Sequence, residues 1–173
     1  MHKYTALAIA ITLLACGAEG NAQDEQRQGG SMSPTALVRE YVERDASGER
    51  LQTAPWFLEV VVWPEDPAFD SYTVIAGFDV GPAVTQGDTV YVPVVYQRIG
   101  WIESTGDSAR LILSDTTEHH RFVVANLGSR WLIAAPRLGP HVMADTVLSR
   151  TPLVARDRAS LAAILSRAGK AEM

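Results

Sequence analysis

The sequence predicts an α+β domain in which N-terminal helices pack on a strongly curved antiparallel sheet, with a further helix at the C-terminus. Two observations predict this class. Apolar residues recur at helical spacing after Pro34, and from Tyr72 onward they alternate at the period of a strand. Helices come first, four or five strands with short turns follow, and an amphipathic helix over residues 157–168 closes the chain. This segregation of helices and strands is typical of α+β folds.

The first helix is predicted to begin at Ser33, with the serine as N-cap and Pro34 at the first helical position. Gly48 is the expected end of this helix. A second, shorter helix is predicted over residues 49–63, although Pro55 and the β-branched residues at 60–62 oppose it. The residues of the first helix that share one side at helical spacing are Leu37, Val38, Tyr41, Val42 and Asp45.

A proline inside the strongest predicted strand indicates that the sheet is curved. Pro93 cannot donate a hydrogen bond to a neighbouring strand, so we expect a sheet edge or a β-bulge at this position. A bulge would bend the sheet sharply, as a cone or an open barrel requires. A short helical piece is expected at 142–149. The predicted strands are residues 72–80, 89–98, 109–114, 117–125 and 130–134, the last two joined by a hairpin at 126–129.

The start of the chain has the layout of a leader for export. After a short basic start, residues 4–15 are almost wholly apolar or small, and the only cysteine, Cys16, stands at the end of this run. The run is shorter than the roughly 20 apolar residues that cross a bilayer. The stretch Leu13-Leu14-Ala15-Cys16 resembles a bacterial lipobox, in which the cysteine is lipidated and becomes the first residue of the mature protein. A plain secretory leader with a free cysteine is the alternative.

The lipobox resemblance implies a division of the chain and a location. Residues 1–15 become the signal peptide, residues 16–33 the lipidated cysteine and a disordered polar tether, and residues 34–173 a single domain. The resemblance implies several acyl chains on Cys16, palmitate among them, and several chains hold a protein durably at a membrane. Gly17 stands where an aspartate retains lipoproteins at the inner membrane of enteric bacteria. We therefore expect an outer-membrane anchor that faces the periplasm.

Composition limits the partners of the domain. The chain carries 15 basic and 20 acidic side chains, a net charge of −5, and we find no basic stripe. Such a surface repels nucleic acid, so we expect no nucleic-acid partner. With Cys16 acylated no thiol remains for a disulfide, and the hydrophobic core must suffice by itself.

Two stretches of the sequence resemble a known family. The residues at 36–51, ALVREYVERDASGERL, resemble the opening helices of nuclear transport factor 2-like (SnoaL-like) domains in bacterial exported proteins. The closing residues, RFVVA at 121–125 and WLIAAP at 131–136, resemble the last hairpin of that cone-shaped fold. The resemblance covers roughly residues 34–145 and rests on element order and pattern. A lipocalin-like barrel or another curved-sheet fold is the alternative.

The histidines and acidic loops give no predicted metal site and no predicted cofactor. His119 and His120 are neighbours on a predicted strand, so their side chains point to opposite faces and cannot share one metal ion. The spacing of nearby histidines and carboxylates does not match that of a zinc site. His141 falls in the predicted loop after the last strand and has no predicted role. Turn and surface roles, rather than calcium binding, are expected for the three acids of one loop, Glu65, Asp66 and Asp70.

A small set of polar residues forms the candidate pocket. The family resemblance implies that an acid or a tyrosine inside the mouth of the cone can transfer protons, because burial raises the pKa of a carboxyl group there. Tyr41 and Asp45 lie one helical turn apart and can both project toward such a mouth. Asp79, His119 and His120 complete the candidate set. The alternative is that Tyr41 belongs to the core and that Asp45 caps or solvates the helix end.

Three functions are compatible with this sequence. The first is a non-catalytic, membrane-anchored lipoprotein that binds a small ligand or an envelope protein. The second is a small lyase, isomerase or hydrolase that uses a carboxylate or a histidine of the cone. The third is a structural role as a homodimer through the open face of the sheet. The first is favoured, because the core pattern is intact and no catalytic constellation is evident.

Overall fold

The fold was obtained as a computed structural model that describes residues 32–52 and 55–171. The predicted signal peptide, Cys16 and nearly all of the tether lie outside the described residues. Among the described residues, no helix combines the length and the apolar character that crossing a membrane demands. The elements in chain order are α1 (Pro34–Ala46), a 3-10 helix (Glu49–Leu51), α2 (Pro55–Val60), β1 (Ser71–Val80), β2 (Val84–Gln86), β3 (Thr89–Thr105), β4 (Ser108–Leu127), β5 (Arg130–Ala135), β6 (His141–Met143), α3 (Ala144–Arg150) and α4 (Ala155–Ala171).

The first helix confirms the sequence prediction. The Ser33 side chain accepts a hydrogen bond from the backbone N–H of Ala36 at 3.3 Å, and Pro34 occupies the first turn. All five residues predicted to share its inner side are buried. Just beyond the helix, Gly48 adopts a left-handed backbone with φ of 77°, which glycine reaches at little cost. This turn starts the 3-10 helix and redirects the chain.

A continuous second helix over residues 49–63 was predicted, and this is wrong. The segment divides into the 3-10 helix and the six-residue α2, which begins at Pro55. Proline is tolerated there because a first-turn residue needs no N–H donor. Beyond α2 the chain extends, and Val61 forms a parallel bridge with Ile133 of β5. The β-branched residues thus favour the extended conformation over a longer helix.

The sheet is strongly curled and mixed, and its shape is that of a half-barrel. Its strand order is β5-β4-β3-β1-β6, with β2 paired to the first residues of β3. All pairs are antiparallel except β1 with β6, where Thr73 lies beside His141 and Ile75 beside Met143. A wholly antiparallel sheet was predicted, and that is wrong at this edge. The chain crosses after β5 to the far edge, so residues 141–143 form a strand before the helix begins at Ala144.

The two central strands are longer than the sequence predicted. The predicted strands 109–114 and 117–125 are parts of the single 20-residue β4, which pairs along its length with the 17-residue β3. A tight turn joins them, in which Gly106 has a φ of 71°. These two long strands form the centre of the sheet and its longest pairing.

In the pairing of β3 with β4, a β-bulge lies at Gly100 and none lies at Pro93. The register of β3 against β4 shifts between Arg98 and Gly100, whereas Pro93 pairs in register with Arg121. A Cβ atom on Gly100 would lie 2.1 Å from the carbonyl oxygen of Ile112, so only glycine fits the close approach of the two backbones. Pro93 is tolerated because it lies in the gap between the end of β1 and the start of β2, where its carbonyl accepts the N–H of Gly81.

Two apolar clusters stabilise the two halves of the long strands. The first packs α1 and α2 on the sheet through buried residues such as Val38, Phe57 and Phe122. The second packs α3 and α4 near the β3–β4 turn, through residues such as Ile102 and Leu161. The polar residues considered below lie beside the first cluster.

Candidate functional site

The structure separates the five predicted pocket residues into two sets. Asp79 and His119 are both exposed, and each pairs with Val95 from its own side of β3. Since partners in register point to the same face, these two side chains share the outer face of the sheet. His120 points to the opposite face, where its ring lies 5.8 Å from that of Tyr96. The set that remains together is Tyr41, Asp45 and His120.

Tyr41 belongs to the core, as the alternative interpretation held. It is 1% exposed, and its ring packs between those of Phe57 and Phe122 at 5.9 and 5.6 Å. Its hydroxyl oxygen accepts a hydrogen bond from Nη1 of Arg50 at 2.9 Å. Burial raises the pKa of the Tyr41 hydroxyl, and the nearby Asp45 adds to the effect. The group therefore stays protonated and acts as a structural link.

Asp45 is buried beside β6 and not at a solvated helix end. Its Oδ2 accepts the backbone N–H of His141 at 2.9 Å, while its Oδ1 has no hydrogen-bond partner among the described residues. Burial raises the pKa of Asp45 to about 7, and the charge of Arg50 and the His141 N–H limit the rise. The Tyr96 hydroxyl is also buried without a described partner. Its pKa is raised by burial and by the charge of Asp45.

A buried arginine holds the polar interior together. Arg50 donates from Nε and Nη2 to the Asp66 carboxylate, with a shortest distance of 2.6 Å. Its guanidinium carbon lies 4.2 Å from the ring centre of Phe57 and 4.7 Å from that of Phe69. A shallow cavity of about 250 Å³ opens beside Asp66 and Phe69. Asp66, expected only to shape a surface loop, thus neutralises a buried cation.

Three ionisable residues meet at the inner face of the sheet. Glu118 and His120 are two residues apart on β4 and point to the same side, and His141 is the first residue of β6. One oxygen of Glu118, Oε2, lies 3.3 Å from Nε2 of His120 and 3.4 Å from Nε2 of His141. The three ligand atoms all lie within 4.8 Å of one another. We call Glu118, His120 and His141 the inner triad.

The surroundings of the inner triad fix each of its side chains. Nη1 of Arg98 donates to Glu118 Oε1 at 2.5 Å, so the other oxygen of that carboxylate faces the histidines. The imidazole of His141 stacks on the ring of Tyr96, and its Nδ1 lies 2.9 Å from the carbonyl oxygen of Gly139. The side chains of Glu118 and His120 are 21% and 24% exposed. Contacts with Arg98, Tyr96 and Gly139 therefore orient Glu118 and His141, while Glu118 and His120 are open to water on one side.

The electrostatics of the triad favour a carboxylate beside neutral imidazole. Burial by itself raises the pKa of Glu118, but hydrogen bonds from His120 and His141 and the charge of Arg98 outweigh it and lower the pKa. Burial lowers the pKa of His141 despite its contacts with Gly139 and Glu118. Carboxylate and imidazole in these forms can accept a proton, accept hydrogen bonds from a ligand or coordinate a metal ion.

Sequence reasoning missed Glu118 and His141 as members of this site. The pattern Glu118-His119-His120 was available, because residues two apart on a strand share a face, which puts Glu118 and His120 on the same side. His141 carried no such signal, since its position depends on a parallel edge strand that the pattern did not indicate. Comparisons with protein-family models, with curated proteins and with solved structures find nothing that matches this chain.

Proposed function

We propose that this protein is a membrane-anchored lipoprotein whose α+β domain binds a ligand without converting it. The leader, with Cys16 at the end of its apolar run, supports acylation at that residue and a tether over residues 16–33. The curled sheet with helices packed on it is compatible with the nuclear transport factor 2-like fold that the sequence resembles. The domain then lies near the outer membrane in the periplasm, carried by its lipid.

The inner triad carries the proposal of ligand binding. Its charged side chains are held in a fixed arrangement, share a face with the core and still reach water. Pre-organised polar groups of this kind bind ligands because little entropy is lost when they are engaged. A small polar ligand or a polar group of an envelope protein therefore fits this position.

The catalytic alternative has weaker support. It requires a carboxyl group of raised pKa that a substrate can reach. Asp45 has the raised pKa, but its side chain is 1% exposed and lies behind the backbone of His141. Glu118 is accessible, but its pKa is lowered. If Asp45→Asn abolished turnover of a small-molecule panel by the purified protein, the alternative would be preferred.

Lipid attachment can be tested separately from ligand binding. The full chain and its Cys16→Ala variant are expressed in a bacterial host supplied with radiolabelled palmitate. We expect label and membrane fractionation for the unmodified chain alone. Mass spectrometry that recovers a free thiol at Cys16 from the membrane fraction would overturn the proposed anchor.

Ligand binding can be tested by thermal shift. The full chain in detergent is screened against small organic acids, amines, sugars and metal salts, with two variants on the same strand. His120→Gln changes the inner triad, and His119→Gln is its matched control on the outer face. We expect a rise in Tm that His120→Gln loses and His119→Gln keeps. A screen in which both variants behave alike would remove the triad as the binding site.

A further inference from the structure

The geometry of the inner triad identifies a chemical class for its ligand, and this inference rests on the proposed binding function of that site. Two imidazole nitrogens and one carboxylate oxygen converge, with the oxygen 3.3 and 3.4 Å from the nitrogens. Ligands at about 2.0–2.1 Å from one zinc-sized ion, at a tetrahedral angle, are themselves separated by about 3.3 Å. The two oxygen–nitrogen distances therefore match the separation of two ligands of one metal ion, and the two nitrogens lie within 4.8 Å of each other.

The hydrogen bond at the far side of His141 decides which of its nitrogens is free. Nδ1 lies 2.9 Å from the carbonyl oxygen of Gly139, and a carbonyl oxygen can only accept. Nδ1 therefore carries a proton, and Nε2 is the ring nitrogen that faces the carboxylate of Glu118. A carboxylate oxygen can only accept, so either a proton on Nε2 or a metal ion bound by both atoms joins Nε2 to Glu118 Oε2.

A metal ion can take the place of the proton between these two atoms. The His141 side chain is only 5% exposed, so its Nε2 depends on Glu118 or on an ion, rather than on bulk water, for a partner. His120 supplies a second imidazole nitrogen to the same carboxylate oxygen. A divalent ion at the centre of the three atoms accepts an electron pair from each of them and replaces the proton.

The groups behind the triad correspond to the supporting contacts of known metal sites. A histidine that binds a metal almost always donates its other ring N–H to a carbonyl, carboxylate or water, as His141 does to Gly139. Arg98 holds one oxygen of Glu118 and leaves the other directed at the histidines. The ring of Tyr96 restrains the plane of His141, with ring centres 4.3 Å apart. These contacts orient the ligands before any ion arrives.

We propose that Glu118, His120 and His141 bind one divalent transition-metal ion. Imidazole nitrogen suits zinc, copper, iron and nickel, whereas calcium and magnesium favour sets of oxygen ligands. The exposed sides of Glu118 and His120 leave a position for water or for a donor atom of a second ligand. The ion therefore binds to the domain first, and a second ligand then binds by coordinating the ion.

The test uses the untagged full chain in detergent, stripped with a chelator and then titrated with Co²⁺ and Zn²⁺. We expect one equivalent to bind, with Co²⁺ producing visible absorption bands of a nitrogen- and oxygen-bound ion and Zn²⁺ displacing it. His120→Gln and Glu118→Gln should each weaken Co²⁺ binding by roughly 100-fold or more, since changes to supporting residues alone cost 10–100-fold. His119→Gln should leave both the affinity and the spectrum unchanged.

Circular dichroism and Tm of the chelated proteins establish that each variant is folded, because Glu118 and His120 are partly exposed and their amide replacements are similar in size. Absence of binding to the folded, unmodified chain at micromolar metal would overturn the proposal, as would equal losses in His119→Gln and His120→Gln. If a metal-free organic ligand raises Tm and His120→Gln removes that rise, while neither ion binds, the metal inference fails and the proposed binding function stands. If neither metal nor organic ligand binds, both fail.

Discussion

The imidazole of His141 stacks on the phenol ring of Tyr96, with ring centres 4.3 Å apart and planes inclined by 26°. The two residues belong to β6 and β3, which are separated in the sheet by β1. In a flat sheet, strands two places apart lie about 9.5 Å from each other. The curl of the sheet therefore turns the edge strand inward, and this places His141 within reach of Glu118 on β4.

Tyr96 offers a test of this stack. Its hydroxyl is buried without a described hydrogen-bond partner, and a polar group in that state costs about 1–3 kcal/mol. Tyr96→Phe keeps the ring and removes that cost, so we expect the free energy of unfolding to stay equal or to rise by about 1 kcal/mol. Tyr96→Ala loses the ring and should cost about 3–5 kcal/mol. Urea unfolding followed by tryptophan fluorescence measures both, and a marked loss in Tyr96→Phe would show that the hydroxyl is bonded.

The buried arginine provides a second prediction. Arg50→Lys keeps the charge, but a single ammonium group cannot bind both oxygens of Asp66 and also reach the Tyr41 hydroxyl. One of these acceptors therefore loses its hydrogen bond. We expect a loss of about 2–4 kcal/mol in the free energy of unfolding. Glu49→Gln is the matched control, because it removes the part-exposed ion pair with Arg44 and should cost less than about 1 kcal/mol. Similar losses in both variants would contradict the role assigned to Arg50.

The sequence predicted those parts of the fold that local patterns determine. Ser33 and Pro34 marked the start of α1, and the alternation after Tyr72 marked β1, because capping and side-chain period act over a few residues. The parallel edge at His141 was missed, since its partner Thr73 is 68 positions away and three-residue strands carry little pattern. Pairing between distant segments depends on the whole curled sheet.

The candidate site was also predicted only in part, because local patterns indicate the orientation of a side chain but not the contacts between distant segments. The opposite orientation of His119 and His120 follows from strand period alone, and the structure has it. Tyr41 and Asp45 were placed on the inner side of α1, but their burial depth could not be read from spacing. The pairing of Arg50 with Asp66 joins two irregular segments, for which no periodicity exists.

Gly100 provides a third prediction, on the close approach of β3 and β4. Gly100→Ala would drive its Cβ into the backbone oxygen of Ile112, and backbone cannot yield as a flexible side chain can. We expect a loss of about 2 kcal/mol or more, with altered hydrogen exchange in β3 and β4. Gly77→Ala is the control, because its Cβ would meet only the side chain of Gln97 at 3.5 Å. That variant should be neutral within about 0.5 kcal/mol, and equal effects would show that the close approach of the backbones at Gly100 does not limit substitution there.

Asp45 gives stability a pH dependence of a definite sign. Burial raises the pKa of Asp45 to about 7 in the folded chain, from 3.8 for an unperturbed aspartate. The folded state thus binds the proton more tightly, so the contribution of this group to stability is full below about pH 4 and falls as pH rises to about 7. Asp45→Asn does not titrate, and its side-chain oxygen can still accept the N–H of His141.

We expect the free energy of unfolding of Asp45→Asn to increase relative to that of the unmodified chain as pH rises. Between pH 5 and pH 8 the difference should grow by roughly 2–3 kcal/mol, because one pKa unit corresponds to about 1.4 kcal/mol. Urea unfolding in the presence of a chelator measures it without any contribution from bound metal. Asp79→Asn is the control, since its exposed carboxyl group lies in water in both states and its effect should stay within about 0.5 kcal/mol. A difference for Asp45→Asn that is flat with pH would mean that the buried carboxyl group has a partner for Oδ1 and ionises without penalty.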